Sequence, residues 1–244
     1  KRDESLQSVS QAVTAITDSE IDAKNITSFV DLSTIVPGVT VAKNEGYKTI
    51  ISIRGVGNET NQNAIAAPSV AYHMDGIFIA SPFSLQTDFI DVQRIEVLRG
   101  PQGTLFGQNS TGGAINVISN KPTTDERFSK ADITYGDYGM KQLRSSSNFP
   151  ISDNVSTKLS LSAMTREGFT ENLATGQDLD DAHNLSFRTD WMVDVNDTTS
   201  LRIFGQYSSV DRNGAAIRGI DDQSPGTRKL SQNTISKQEL TSSV

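Results

Sequence analysis

Residues 91–122 read DVQRIEVLRGPQGTLFGQNSTGGAINVISNKP, and the fold is decided by how this stretch is understood. Ile95, Val97 and Leu98 form an apolar run that reads as a buried strand. Arg99, Gly100 and Pro101 stop it, and further glycines follow at positions 103, 107, 112 and 113. A second apolar run, residues 114–118, closes the stretch before Pro122. The local reading is two strands joined by a tightly packed, glycine-rich connection, because glycine tolerates positive φ and lets backbones approach closely. Such a connection can cradle a phosphate, but the triplet Gly-Lys-Ser/Thr that ends a P-loop does not follow Gly107. Nor does a Gly-x-Gly-x-x-Gly open a helix here, so a dinucleotide site is poorly supported.

Two pieces upstream belong with this stretch. Residues 51–55 read Ile-Ser-Ile-Arg-Gly and residues 72–76 read Tyr-His-Met-Asp-Gly. Taken in order with 95–103, 105–107 and 112–116, they resemble the plug domain of TonB-dependent outer-membrane receptors. The specificity lies in three pieces in the right order, one of them more than about twenty residues long. By motif the resemblance covers residues 5–122. Its motif positions are Gly55, Asp75, Gly76, Gly100, Pro101, Gly103, Gly107, Gly112, Gly113 and Asn116.

Composition narrows the classes. The chain has 244 residues, room for one large or two ordinary domains, and its hydrophobic content of 35% is low for one compact soluble core. A net charge of −7 argues against a nucleic-acid partner, which needs a basic face. The absence of cysteine removes disulfides, thiolate metal sites and Cys nucleophiles together. No run of about eighteen apolar residues is present, which excludes a transmembrane helix but not a membrane barrel, whose strands need only about ten residues with every second one apolar.

Ahead of the central stretch, residues 5–17 read as extended. Residues 18–20 look like a helix cap, and residues 25–33 read as a second short helix with Thr27 or Ser28 as N-cap. Strands follow at 39–41, 49–54, 69–72 and 77–79, the last two joined by an Asp75-Gly76 turn. Residues 83–89 are expected to be a loop leading into a short helix at 90–93. The sum is a small α+β domain over 1–122.

After Pro122 the character changes. Residues 123–127 read as a linker, and from 128 onward only strands are expected. Apolar residues fall on odd positions: Ala131, Ile133, Tyr135; Leu143, Phe149; Val155, Leu159, Leu161, Ala163; Leu185, Phe187, Trp191, Val193; Leu201, Ile203, Tyr207. Even positions carry Lys130, Asp132, Arg144, Lys158, Arg188, Asp190, Arg202 and Gln206. This is period-two alternation with one apolar and one charged face. A soluble sandwich alternates in the same way, but segments of this length exceed the usual strand of about five or six residues. Connections alternate too: 150–154 and 194–198 are short, 167–183 and 210–235 long and polar, as in an outer-membrane barrel. The fold class expected is an α+β plug domain followed by antiparallel transmembrane β-barrel strands. Five to six strands over 128–244 form part of a larger barrel, since a lumen that holds a plug needs about 22.

The resemblance implies a receptor for energy-coupled import of a scarce nutrient across the bacterial outer membrane. The nutrient would be a siderophore, cobalamin or an oligosaccharide-like ligand. The implied partners are that ligand, outer-membrane lipid and a TonB-type energy-transducing complex of the inner membrane, which acts on a coupling segment expected before Lys1. No cofactor or metal is implied. It also implies that Arg54 and Arg99, each following an apolar strand and preceding Gly, face barrel glutamates and seat the plug, with Glu96 a further pairing candidate. The plainer alternative is a pair of solvated arginines. Ligand contacts are expected from the outward loops 42–48, 57–68 and 80–87, through Lys43, Asn44, Tyr47, Asn58, Asn61, Gln62, Asn63, Phe83 and Gln86. Their amides suit a polar or glycosidic ligand somewhat better than a ferric chelate. No residue set reads as catalytic: His73 and His183 lie far apart without an activating pattern, and Asp75 beside Gly76 is turn chemistry. The rival readings are a secreted β-rich adhesin or glycan-binding module, which leaves the three plug motifs unexplained, and an α/β enzyme with a phosphate loop.

Overall fold

The computed structural model describes residues 13–44, 48–57, 68–172, 176–213 and 237–243, with the side chains of 43, 44, 48, 82, 83 and 237–243 outside the description. The described residues fall into two compact units, one ending at Asn120 and the other beginning at Lys121.

The first unit opens with strand β1 (Val13–Thr17) and helix α1 (Asp18–Ala23). Thr17 is the N-cap of α1, in a reciprocal capping box with Glu20. Its backbone N–H donates to Glu20 Oε2 at 3.0 Å, which holds the exposed Glu20 carboxyl below its ordinary range. Ser28 caps a 3-10 turn (Phe29–Asp31) that runs on into α2 (Leu32–Ile35), close to the second helix read from the sequence. Asp31 Oδ2 accepts from the backbone N–H groups of Thr27 and Ser28, both at 2.8 Å. Strands β2 (Val39–Asn44) and β3 (Lys48–Ile53) pair antiparallel in a separate two-stranded sheet.

The main sheet takes β4 (Val70–Met74), β5 (Ile77–Phe78), β6 (Val92–Arg99) and β7 (Gly113–Ser119), with strand order β1-β6-β7-β4-β5. β4 and β7 run parallel, and the other pairs antiparallel. Ile95, Val97, Ile115, Val117, Val70 and Tyr72 form the core of one face, with Phe29, Leu32, Leu85, Ile51 and Ile53 in the same cluster. Phe29 meets Phe89 and Tyr72 edge-on, at centroid distances of 4.8 and 6.1 Å. A smaller cluster of Ala71, Leu98 and Ala114, with Val13, Phe78 and Phe106 against it, covers part of the other face. Two expectations are corrected here. The stretch 83–89 contains a 3-10 helix (Pro82–Gln86), whose Pro at the first turn suits helix entry, and the helix expected at 90–93 is instead the start of β6. Asp91 takes a positive φ of 50°, which turns the chain into that strand.

The second unit is a six-stranded antiparallel sheet in the order β15-β14-β13-β10-β9-β8, each strand beside its neighbours in the unit's up-and-down course. The strands are β8 (Phe128–Gly136), β9 (Met140–Ser152), β10 (Val155–Arg166), β13 (Ala182–Asn196), β14 (Thr199–Asn213) and β15 (Lys237–Ser243). The long connection expected at 167–183 holds a hairpin of its own, β11 (Thr170–Asn172) with β12 (Gln177–Leu179). The short turns are tighter than expected, because β9 runs to Ser152 and β13 to Asn196. Residues 120–127 have no regular structure.

The pleat assigns the alternation. On β13, Ala182, Asn184, Ser186, Arg188 and Asp190 are buried while His183, Leu185, Phe187 and Trp191 are exposed. Leu159, Leu201, Ile203 and Tyr207 are likewise exposed, and Lys158, Ser160 and Ser162 are buried. The apolar face is thus outward and the polar face inward, the reverse of a soluble sheet. No helix among the described residues is long and apolar enough to cross a membrane, which says nothing of a β-barrel.

Candidate functional site

The glycine-rich connection between β6 and β7 is where the plug motifs meet. Gly103 starts a one-turn helix, α3 (Gly103–Phe106), inside the connection expected to be irregular. Gly100, Gly107, Gly76 and Gly55 all have positive φ, and Pro101 is exposed. At two positions the need for glycine is packing. A Cβ at Gly112 would stand 2.9 Å from both Val56 Cγ1 and Val56 O. A Cβ at Gly113 would stand 2.3 Å from Leu98 O and 2.8 Å from Ile53 Cδ1. The turn after β3 and the end of β6 therefore lie directly on this pair of glycines.

Asp75, with φ 50°, and Gly76 form the β4–β5 turn. Asp75 does more than turn the chain: Ser119 N donates to its Oδ1 at 3.0 Å and Ser119 Oγ to its Oδ2 at 2.8 Å. The next residue is held in the same way, since Asn120 donates its N to Asp91 O at 2.9 Å and its Nδ2 to Asp91 Oδ1 at 3.0 Å. Two aspartates in left-handed backbone thus grip the last two residues of the first unit.

The three charges expected to dock have different surroundings. Arg54 is exposed, has φ 53° and donates its backbone N–H to Gly38 O at 2.7 Å. It leaves the two-stranded sheet rather than the main one. Arg99 ends β6 and donates from Nη2 to Thr14 Oγ1. Glu96 accepts from Arg94 Nε at 2.8 Å and from Asn116 Nδ2 at 3.0 Å, so both its oxygens are engaged within the sheet.

Of the expected ligand contacts, the side chains of Lys43, Asn44, Tyr47, Asn58, Asn61, Gln62, Asn63 and Phe83 lie outside the described residues. Gln86 is corrected: it is 6% exposed, on the 3-10 helix beside buried Leu85, and not on an open loop surface. His73 is buried between the rings of Phe78 and Phe106, at 5.5 and 5.0 Å, and His183 lies 3.6 Å from Asp181 on the second unit. Among the described residues no group of three or more His, Cys, Asp or Glu could hold a metal ion.

A cluster of charges not expected from the sequence lies on the polar face of the second unit. Asp190 accepts from Arg188 Nη2 at 3.1 Å and from Arg202 Nε at 2.9 Å, and both guanidinium groups sit over the Phe204 ring. The even-numbered charges announced it, but the strand register that makes Arg202 a diagonal neighbour of Asp190 was not visible.

Residues 5–114 match the family described as TonB-dependent Receptor Plug Domain. The pesticin receptors of Yersinia enterocolitica and Yersinia pestis are 31% identical over 170 residues, which is 68% of this chain and 24% of theirs. Among solved structures, the ferric yersiniabactin uptake receptor FyuA from Yersinia pestis aligns with TM-score 0.81 and 23% identity, over 96% of this chain and 37% of that one. FpvA of P. aeruginosa, solved with bound ferric pyoverdine, aligns with TM-score 0.78 and 19% identity, over 98% of this chain and 31% of that one. The chain spans about a quarter of the length of the curated relatives it matches. With an ordered set of plug motifs, a plug-type sheet and an inside-out antiparallel sheet after it, the chain belongs to the TonB-dependent receptors of the outer membrane, as their plug domain and strands of their barrel.

Proposed function

We propose that the protein to which this chain belongs imports a ferric siderophore across the outer membrane, with the energy supplied by a TonB-type complex of the inner membrane. The observation that carries the reading is the coexistence of two sheets of opposite polarity in one chain. One has a closed apolar core and the plug motifs, and the other exposes Leu159, Leu185, Phe187, Trp191, Leu201 and Ile203 while burying charge. A secreted adhesin module accounts for neither the motifs nor the outward apolar face. The siderophore class is supported by the relatives: one is an uptake receptor for ferric yersiniabactin, another was solved with ferric pyoverdine. This favours a ferric chelate over the glycosidic ligand to which the loop amides pointed.

In this reading ligand is met by the loops that hold Lys43, Asn44, Tyr47, Asn58, Asn61, Gln62, Asn63 and Phe83. Seating of the plug falls to Arg54, whose exposed guanidinium presents a rigid fork of donors suited to a carboxylate, and to the remaining donors of Arg99. Glu96 is left a part within the sheet, holding Arg94 and Asn116. The test is growth of a deletion strain under iron limitation on a panel of ferric siderophores, cobalamin and oligosaccharides, with the energy-transducing complex intact or removed. The expected result is a defect confined to one or a few ferric siderophores and equal to that caused by loss of the complex. A strain that grows like its parent on every ferric siderophore, or a defect on cobalamin or a sugar alone, overturns the reading.

A further inference from the structure

Arg99 stands at a junction of three strands. On one side it pairs with Gly113 of β7. Gly100 N donates to Gly112 O at 3.1 Å, and Gly113 has no space for a side chain against Leu98 O, so the backbone that aims Arg99 is fixed. On the other side lies β1, antiparallel along the edge of the sheet, with Val13 opposite Leu98, Thr14 opposite Val97 and Ile16 opposite Ile95. Side chains two apart on a strand share a face, so Arg99 is on the core face with Val97 and Ile95, and Thr14 is its diagonal neighbour across the strand gap. The guanidinium reaches over, and Nη2 donates to Thr14 Oγ1. Arg99 Nε is buried with no hydrogen-bond partner among the described residues, so the contact with Thr14 weighs the more in holding the group.

Strand β1 is otherwise lightly held. It has five residues, and only Ile16 is buried. It pairs on one side only, with β6, since it is the first strand in the sheet order. By contrast β7 is paired on both sides and six of its seven residues are buried.

We infer that Arg99 is a latch on β1, a positioning residue that fastens the leading end of this edge strand to the sheet. Breaking its bond to Thr14 lets β1 leave while β6, β7 and β4 keep their pairing. The side chain sets how firmly the chain that precedes residue 13 is tied to the domain. This role is separate from docking against a barrel carboxylate and independent of the ligand assigned above. A hydrogen bond from a charged group is stronger than one between neutral groups, and beyond it β1 has its one-sided pairing with β6 and the buried Ile16.

Hydrogen–deuterium exchange on the whole receptor in detergent tests this, with the variants Thr14→Val, Thr14→Ser and Arg99→Ala. Thr14→Val keeps the shape and removes the acceptor. It is expected to raise exchange about tenfold or more within residues 13–17 and at those β6 amides that donate to β1, with residues 113–119 unchanged. Thr14→Ser is expected to exchange as wild type, and Arg99→Ala to raise 13–17 at least as much as Thr14→Val does. Two results overturn the latch. One is wild-type exchange at 13–17 in Thr14→Val. The other is a rise in Arg99→Ala spread evenly over β6 and β7 with no larger effect at β1, which would leave Arg99 with the seating role alone.

Discussion

The two sheets of this chain use the same pleat for opposite ends. In β7 of the first unit nearly every residue is buried, on both faces, and the sequence there is a nearly continuous apolar run. In β13 of the second unit burial alternates over the first half, and after Ala182 the buried members are Asn184, Ser186, Arg188 and Asp190. A run without alternation tells of cover on two sides, whereas alternation tells only that the sides differ. Which side meets water or lipid is decided by what the buried set contains. Charges in the buried set mean that the apolar set faces a solvent of its own kind.

The sharpest way to break this contrast is to remove charge from the buried set. Asp190→Ala leaves Arg188 and Arg202 without the carboxylate both now share, and losing one member of a buried pair costs about 3–5 kcal/mol. Heat or denaturant unfolding of the receptor in detergent is expected to show a loss of that order. A loss under about 1 kcal/mol would mean that the cluster is solvated after all. A smaller effect is expected on the opposite face. Leu161→Arg is expected to cost about 2–4 kcal/mol near the bilayer midplane in a folding titration into lipid, and Ser160→Ala next to it, on the polar face, less than about 1 kcal/mol. A cost for Leu161→Arg no larger than that for Ser160→Ala would mean that Leu161 does not face lipid.

The smallest effect belongs to the first unit. Glu20 is held below the ordinary carboxylate range by the Thr17 N–H, so its contribution is present above the unfolded-state value and is lost as pH falls through the lowered native one. The Thr17 amide shift is expected to titrate with a midpoint below the ordinary glutamate range in the wild type and to stay flat in Glu20→Gln. A titrating amide in the variant would assign the transition to another group.

What could be read from sequence was whatever depends on near neighbours or on a whole pattern. The helix start near residues 18–20, one residue after its actual N-cap Thr17, the Asp75-Gly76 turn and the odd–even alternation after 128 are of this kind, and each is in the structure. What could not be read depends on distant partners. Thr14 meets Arg99 across 85 positions, Asp75 meets Ser119 across 44, and nothing local in either sequence announces the other. Residues 90–93, Ile-Asp-Val-Gln, are too short a run for their period to decide between helix and strand, and it is pairing with β7 that makes Val92 a strand residue. Gln86 was placed on a loop by its polarity, whereas the neighbouring Leu85 draws that turn into the core.

The strand order of the main sheet also fixes a sequence of events in time. β1 lies beside β6, and β4 beside β7, so the sheet cannot be completed until residue 119 is available, however early its first strand is made. Each of these pairings closes a long loop before any contact offsets the entropy lost, which makes them slow steps. The second sheet grows by adjacent antiparallel addition, each strand beside one already present. A chain emerging from its N-terminus therefore carries β1 and β4 as open edges, exposed to wrong pairing, until β6 and β7 arrive together and claim both.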